Sequence, residues 1–259
     1  MVNLVIDIGN TITKVALFSG RELQEIRMFK ANIRAEIRSI LREWPVEHAI
    51  ISSVKENSAT YDDVFAGKAT LLHFSASHAL RIDNRYRTPQ TLGLDRLAAV
   101  IGAETRYRES NCLCIDAGTC ITYDFIDAQR RYFGGAISPG LQMRLKAMNA
   151  FTERLPLVEI QNDFEADYGA DTQEAMLAGA MTGTYHEMSG FINNYITRFP
   201  DLKVLICGGD ANFFVSRLKN SIFAHIVEPE PNLVLIGLNE VIHQYNDKNI
   251  ANGGSVRMK

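Results

Sequence analysis

Ile6-Asp7-Ile8-Gly9 and Ile115-Asp116-Ala117-Gly118 carry one pattern twice, and the pairs Ile12-Thr13 and Ile121-Thr122 that follow keep the same offset of 109 residues. An acid set among β-formers at the end of a strand needs a partner, because leaving it unpaired in an apolar setting costs several kcal/mol. Meeting that acid twice at one offset constrains the chain to two related halves. Each half opens on a strand that ends in Asp and breaks at Gly. The period is too long for a solenoid and occurs only twice.

Around the first copy, residues 2–8 and 12–18 read as a hairpin turning at Gly9-Asn10, with a third strand over 23–29. Ile33, Ile37, Ile40 and Leu41 recur at helical spacing and mark an amphipathic helix that stops before Pro45. Strands are expected over 48–54 and 69–74, then a polar loop over 83–90 and a helix over 94–107. Around the second copy, residues 114–125 repeat the hairpin and 131–138 supply its third strand. A helix over 140–151, an acid-rich loop and a long helical stretch over 172–199 follow. Asp171 with Glu174 three residues on gives that stretch a capping-box start. The rest reads as a strand over 203–207, the turn Gly208-Gly209-Asp210, a helix, a strand over 222–227, a helix over 233–245 and a polar tail over 246–259 expected to fray. Three strands followed by alternating helix and strand indicate an α/β fold, with mixed sheets and helices packed on them.

With 259 residues, 46% hydrophobic and 22% charged, the chain has ordinary globular composition and a length for one large domain or two modest ones. A net charge of -3 and a pI near 6.1 give no electrostatic footprint for nucleic acid or an anionic membrane. An anionic ligand must therefore be held by local geometry. No stretch reaches the roughly 18 apolar residues of a membrane span, and Met1 leads straight into a strand without a basic region and cleavage site. A cytoplasmic protein is expected. Cys112, Cys114, Cys120 and Cys207 form no CxxC pair and lie near no His at zinc-finger spacing, so reduced, buried thiols are expected.

Each copy of the repeated turn offers backbone N–H groups at a Gly bend, Thr hydroxyls beside it and a carboxylate at the strand end. Successive N–H groups form an anion-binding concavity, and Gly lets a ligand approach. A carboxylate there repels a bare phosphate, which makes sense if a cation such as magnesium sits between them. Lys14 adds a point charge suited to the same phosphates. The bland alternative is a pair of tight hairpins with capped Asp residues. The turn at Gly208 to Asp210 stands where a nucleotide commonly lies against backbone, or equally is a Gly-rich turn capped by Asp210. A third constellation runs over 86–100. Asp95 and Arg96 follow Gly93 at a helix start, where the helix N-terminus favours an ionised acid and bound anions. Asp95 is there by default a cap or dipole partner. The adjacent Arg96, able to fork onto a carboxylate, and the Tyr and Pro loop before it point instead to one wall of a pocket.

Taken together, these residues resemble the type III pantothenate kinases, of the actin, sugar kinase and Hsp70 superfamily. The family's D-x-G-N-T/S-x-x-K element corresponds to Asp7 through Lys14, its Y…P…L-G-x-D-R element to Tyr86, Pro89 and Leu92 through Arg96, and its D-x-G-T-x-x-T element to Asp116 through Thr122. The match continues through Gly134 to Leu141, Asp171-Thr172 and Gly208 to Ala211, in the family's order and over nearly the whole chain.

The resemblance implies two related ribonuclease-H-like, actin-like ATPase lobes, each a mixed sheet flanked by helices, over 1–108 and 109–246, with dimerisation helices in the second and a flexible tail over 247–259. It implies ATP-dependent phosphorylation of pantothenate to 4'-phosphopantothenate, the first step of coenzyme A biosynthesis, by a homodimer without nucleic acid or membrane partners. Asp7, Ile8, Gly9, Asn10, Thr11, Ile12, Thr13 and Lys14 would hold the ATP phosphates and magnesium, with Asp7 acting through phosphates or water, and Thr119 would also touch ATP. Asp116 would bind a monovalent cation, K+ or NH4+. Tyr86, Gly93, Leu94, Asp95, Arg96 and Thr172 would line the pantothenate pocket, with Asp95 as general base. Two alternatives stay open: a Baf-like transcriptional regulator of the same fold, and a small-molecule kinase of the superfamily acting on another hydroxyl.

Overall fold

The hairpin expected around the first acid forms the middle of a sheet. In the computed structural model, which describes residues 1–30, 33–53 and 58–251, β1 (Val2–Ile8) pairs antiparallel with β2 (Thr13–Ser19), and β2 pairs antiparallel with β3 (Glu22–Phe29). After α1 (Arg34–Glu43), β4 (Val46–Ser53) lies parallel to β1 on its other side. A single turn of helix, α2 (Asp62–Phe65), leads to β5 (Thr70–His73), parallel to β4. The order is β3-β2-β1-β4-β5. Val54 of the strand expected over 48–54 lies outside the described residues.

Strand alternation sorts the side chains of this sheet. Leu4, Ile6 and Ile8 of β1 join Val15, Leu17, Ala49 and Ile51 in one core with Ile33, Ile37 and Ile40, so the residues that set the helical spacing of α1 are those it buries. Each such side chain contributes roughly 1.5–3 kcal/mol by leaving water. Asp7 and Lys14, one residue off the core positions, point to the opposite face.

The loop expected over 83–90 is partly ordered as β6 (Asp83–Asn84), which pairs in parallel with Arg131 and Tyr132. A 3-10 turn follows at Pro89–Thr91, where proline pre-sets the backbone. α3 (Leu94–Arg106) is buried from Arg96 to Glu104.

The second unit repeats the antiparallel opening with β7 (Cys112–Ala117) and β8 (Cys120–Ile126), followed by β9 (Arg131–Pro139) and α4 (Leu141–Ala150). The long helix expected over 172–199 is interrupted. α5 (Thr172–Leu177) opens into a π turn at Ala178–Thr182 before α6 (Gly183–Arg198). Gly179 and Gly183 are poor helix formers, and the Thr184 hydroxyl donates back to Ala180 O at 2.5 Å, both of which favour a widened turn. β10 (Lys203–Cys207), α7 (Ala211–Lys219) and β11 (Val227–Pro229) complete the order β11-β10-β7-β8-β9, with β10 parallel to β7 and β11 parallel to β10. Of the strand expected over 222–227, only Val227 lies in a strand, as the first residue of β11, and 222–226 are a series of turns. Ser221 O accepts from Ala224 N–H and Phe223 O from Ile226 N–H, so the backbone groups a ladder needs are spent locally, and Ile222 is 78% exposed. Ile115, Tyr123, Phe125, Val204 and Ile206 form the core under α4 to α7 with Leu145, Met176, Ile192 and Phe214.

The chain then returns to the first unit. α8 (Leu233–Ala251) groups with residues 1–108 and 130–132, while the second unit comprises 109–129 and 133–231. The lobe read as 109–246 therefore differs from the observed grouping by this helix. Residues 246–251, expected to fray, continue α8, and 252–259 lie outside the described residues.

What places α8 is close packing plus a buried polar key. A Cβ on Gly237 would lie 1.9 Å from Ala98 O, and one on Gly102 would lie 2.3 Å from Leu233 O, so α3 and α8 meet backbone to backbone. Asn239 accepts from Asn3 Nδ2 at 2.8 Å and donates to Gly20 O at 2.9 Å. Glu240, its side chain 2% exposed, takes a two-pronged bond from Arg21 and a third from Arg81. Gly237→Ala should force the two helices apart. The expected cost is about 1–3 kcal/mol, read as a lower urea midpoint at constant m-value; an unchanged midpoint would show that the backbones do not touch there.

Candidate active site

β1 runs to its acid and stops. Asp7 stands directly opposite Lys14 and Ile8 opposite Thr13, so Asp7 and Lys14 project from one face as a cross-strand pair. Between the strands, Gly9 N–H donates to Ile12 O at 3.2 Å. The turn is thus four residues, Gly9 to Ile12, where the sequence reading begins the return strand at Ile12, and Ile12 leaves the strand for an exposed tip with Asn10 and Thr11. A Cβ on Gly9 would sit 2.9 Å from Ile12 O, too close for any other residue to close this turn unshifted.

In the same unit stand residues 86–100. Gly93 is the N-cap of α3 and no side chain caps it. Asp95 is a first-turn acid whose Oδ1 accepts the Arg96 N–H at 2.8 Å and folds over Gly93, where a Cβ would be 2.6 Å from that oxygen. Asp95 is therefore a dipole partner and not the cap, and its position depends on Gly93 having no side chain. Leu94 is the half-buried residue between them. Arg96 is 6% exposed, its guanidinium lies 5.7 Å over the Tyr86 ring, and Tyr86 stacks on Tyr132 at 6.4 Å with 9° between planes. A buried arginine against an aromatic face is held in one orientation, as recognition of a planar carboxylate requires.

The second copy of the turn is one residue shorter. Ala117 pairs with Ile121 and Asp116 with Thr122, so the residue opposite the acid is Thr122, where the 109-residue offset of the sequence would put Tyr123. A neutral hydroxyl stands where the first unit has the Lys14 ammonium. The turn is closed by Gly118 N–H donating to Cys120 O at 3.1 Å and carries Thr119 exposed at its tip.

Two further segments press on this turn. Gly140 N–H donates to Thr119 O at 3.1 Å. Gly208, at φ +97, comes so near that a Cβ would be 2.5 Å from both Asp116 Oδ1 and Ala117 O. Asp210 N–H donates to Ala117 O at 2.9 Å, while its carboxylate makes no cap bond to α7. Burial pushes the Asp210 carboxyl above the ordinary aspartate value. The cap reading of Asp210 is thus replaced by a half-buried acid at the same strand end as Asp116. The Gly-Gly-Asp turn was the signal for it, hidden by the commoner use of Asp before a helix.

Thr172 is the exposed first residue of α5. Asp171 Oδ1 accepts Glu174 N–H at 2.9 Å and Glu174 Oε2 accepts Ala170 N–H at 2.8 Å, the reciprocal bonding of a capping box shifted by one residue. All four cysteines are free, with Cys120 the half-buried one. Among the described residues no group of three His, Cys, Asp or Glu side chains has the arrangement to hold a metal by itself. One carboxylate beside the exposed backbone of a Gly turn does fit magnesium, which keeps waters and shares substrate phosphates.

A family model described as type III pantothenate kinase matches residues 3–194. Over 247 residues the chain is 41% identical to a type III pantothenate kinase of Phocaeicola vulgatus, covering 95% of this chain and 99% of the relative. Among solved structures, one described as a Baf family transcriptional activator from Campylobacter jejuni has a TM-score of 0.59 at 21% identity, over 94% of this chain and 99% of that one. A ROK family glucokinase from Streptomyces griseus, in complex with glucose and AMPPNP, has a TM-score of 0.53 at 11% identity, over 93% and 99% of the two chains. At those identities the solved structures establish a shared fold of two mixed sheets flanked by helices.

Proposed function

The chain belongs to the type III pantothenate kinases, and from that membership we propose how its residues divide the transfer of a phosphoryl group from ATP to pantothenate. As a member it phosphorylates pantothenate in coenzyme A biosynthesis, using ATP with magnesium. The observation that carries the assignment of roles is the Asp7–Lys14 pair at the Gly9 turn, a carboxylate and an ammonium on one face beside exposed backbone.

Phosphoryl transfer passes through a loose transition state, so the protein's work is positioning and charge neutralisation. Residues 7–14 hold the ATP phosphates: the backbone of Gly9 to Ile12 cradles them, the hydroxyls of Thr11 and Thr13 flank them, and Lys14 supplies a positive charge. Asp7 holds magnesium through water or phosphate. When bound, magnesium neutralises charge on the phosphate oxygens. Thr119 adds a contact to ATP. Arg96, oriented by Tyr86, forks onto the pantothenate carboxylate, with Gly93, Leu94 and Thr172 also lining the pocket. Asp95 accepts the proton of the primary hydroxyl as the oxygen–phosphorus bond forms and the bond from phosphorus to the ADP oxygen breaks. The free thiols support a reducing, cytoplasmic setting.

In a coupled ADP-release assay, pantothenate should be phosphorylated and common sugars and glycerol should not. Turnover of a sugar without turnover of pantothenate would overturn the acceptor. Asp95→Asn should melt near the native temperature with kcat lowered at least about a hundredfold, whereas Asp7→Asn should raise the ATP and magnesium requirement. Normal turnover by Asp95→Asn would leave this residue a dipole partner only.

Asp116 is proposed to hold K+ or NH4+. The support is its neutral cross-strand neighbour Thr122, and the acidic residue Asp210, whose backbone N–H donates to Ala117 O next to it. Rates should be low in sodium or Tris buffer and rise on adding potassium or ammonium. Equal rates in all four would argue against the assignment.

A homodimer is proposed through the small-residue face of α5, the π turn and α6. Ala178 and Ala180 turn into their own core, but Gly179 and Gly190 meet nothing within 4 Å and leave room for a second backbone. Sedimentation at micromolar concentration should give about twice the 29.0 kDa chain mass, and a lone monomer would remove the idea. Among the described residues no helix is long and apolar enough to cross a membrane.

A further inference from the structure

The turn that carries Thr119 is not held by its own hairpin alone. Gly140 leans on it so closely that a Cβ would be 2.3 Å from Gly118 O and 2.6 Å from Thr119 O, and Gly140 N–H donates to Thr119 O. Any shift of Gly140 therefore moves the Thr119 backbone. Gly140 in turn is fixed by one side chain's neighbourhood. Arg144 donates from its backbone N–H to Gly140 O at 3.0 Å, from Nε to Pro139 O at 2.8 Å and from a terminal nitrogen to Ser138 Oγ at 2.6 Å.

Arg144 is itself aimed from the helix layer and the sheet. Its terminal nitrogen pairs with Glu187 Oε2 on α6, and Glu187 Oε1 accepts the Tyr123 hydroxyl at 2.9 Å. Tyr123 is fully buried in β8, with its ring stacked on Phe191 at 4.1 Å. Burial would raise the Glu187 carboxyl, but hydrogen bonds from Arg144, Ser138 and Tyr123 outweigh it and hold it below the ordinary glutamate range, so the partner of Arg144 stays ionised at neutral pH. The side chains of the pair are only 22% and 26% exposed. At such depth desolvation offsets much of the attraction, and what the pair contributes is geometry more than net stability.

We infer that Arg144 is a positioning residue of the phosphoryl transfer: with Glu187 and Tyr123 behind it, it locks the Ser138-Pro139-Gly140 corner, and through Gly140 it sets where the Gly118-Thr119 turn meets the nucleotide. Arg144 touches no substrate in this account, and the inference rests on the kinase reading and on the ATP contact proposed for Thr119. A guanidinium is required because three acceptors in different directions, two from the corner and one from Glu187, must be met at once.

Arg144→Met keeps the aliphatic stem and removes the side chain's hydrogen bonds. Its dissociation constant for ATP with magnesium, measured by equilibrium binding without acceptor, should rise about threefold to tenfold, the scale of one weakened hydrogen bond. The KM for pantothenate should stay within about twofold of wild type, and Arg144→Lys should recover only part of the ATP affinity. Unchanged ATP affinity in folded Arg144→Met would overturn the inference, as would equal losses for both substrates that track a lowered melting temperature. If Arg144→Met does not fold, Tyr123→Phe, which deletes one hydroxyl, carries the same test: a smaller loss confined to ATP supports the inference, and none overturns it. Wild-type protein that binds ATP yet fails to phosphorylate pantothenate would fault the acceptor assignment and leave this result standing.

Discussion

A carboxylate at the end of a central strand is the constraint around which each unit is arranged. Asp7 and Asp116 both close a strand flanked on one side by an antiparallel hairpin partner and on the other by a parallel strand, β4 beside β1 and β10 beside β7. Neither parallel neighbour brings a cation, since Ser52 pairs with Asp7 and Cys207 with Asp116. The carboxyl ends of parallel strands are where α/β sheets bind ligands. In the second unit, the glycine at 208 lets backbone reach to within a Cβ's radius of Asp116. Packing elsewhere follows from holding these strand ends still, including α3, whose first turn carries Asp95 and Arg96.

The two copies of the turn are not interchangeable, and one residue makes the difference. The four-residue turn of the first unit sets a lysine opposite its acid; the shorter turn of the second sets a threonine there. A duplicated frame has thus diverged in local charge without changing its strand pairing. The first pairs its acid with a positive charge, and the second pairs it with a neutral hydroxyl. Because side chains alternate with a period of two, a one-residue change in turn length exchanges every position of the return strand between faces, a larger chemical step than any single substitution in the turn.

Much of this was legible beforehand. The repeat announced both hairpins, Ile33, Ile37 and Ile40 announced α1, and Gly93-Leu94-Asp95-Arg96 announced a helix start. What escaped were features that the residue pattern does not mark. Turn length at Gly9 depends on a contact with Ile12 O, and the residues 222–226, apolar enough for a strand, are claimed by turn bonds around Ser221. Asp210 looked like a cap because caps are common before helices, and it does stand at the N-cap of α7, but its side chain makes no cap bond. The triad of Tyr123, Arg144 and Glu187 spans three elements and has no local pattern at all.

The return of α8 to the first unit bears on how the chain matures. Residues 109–129 and 133–231 form a nearly continuous stretch whose core closes on itself, so that unit can complete its packing while synthesis is still under way. The first unit cannot: α3 lacks the helix that Gly102 and Ala98 are shaped to receive until residues made long afterwards have emerged. Its central sheet must wait with one apolar helix uncovered. The half of the molecule begun first is then the last to become native, and for that interval it is the part that most needs a chaperone's shelter.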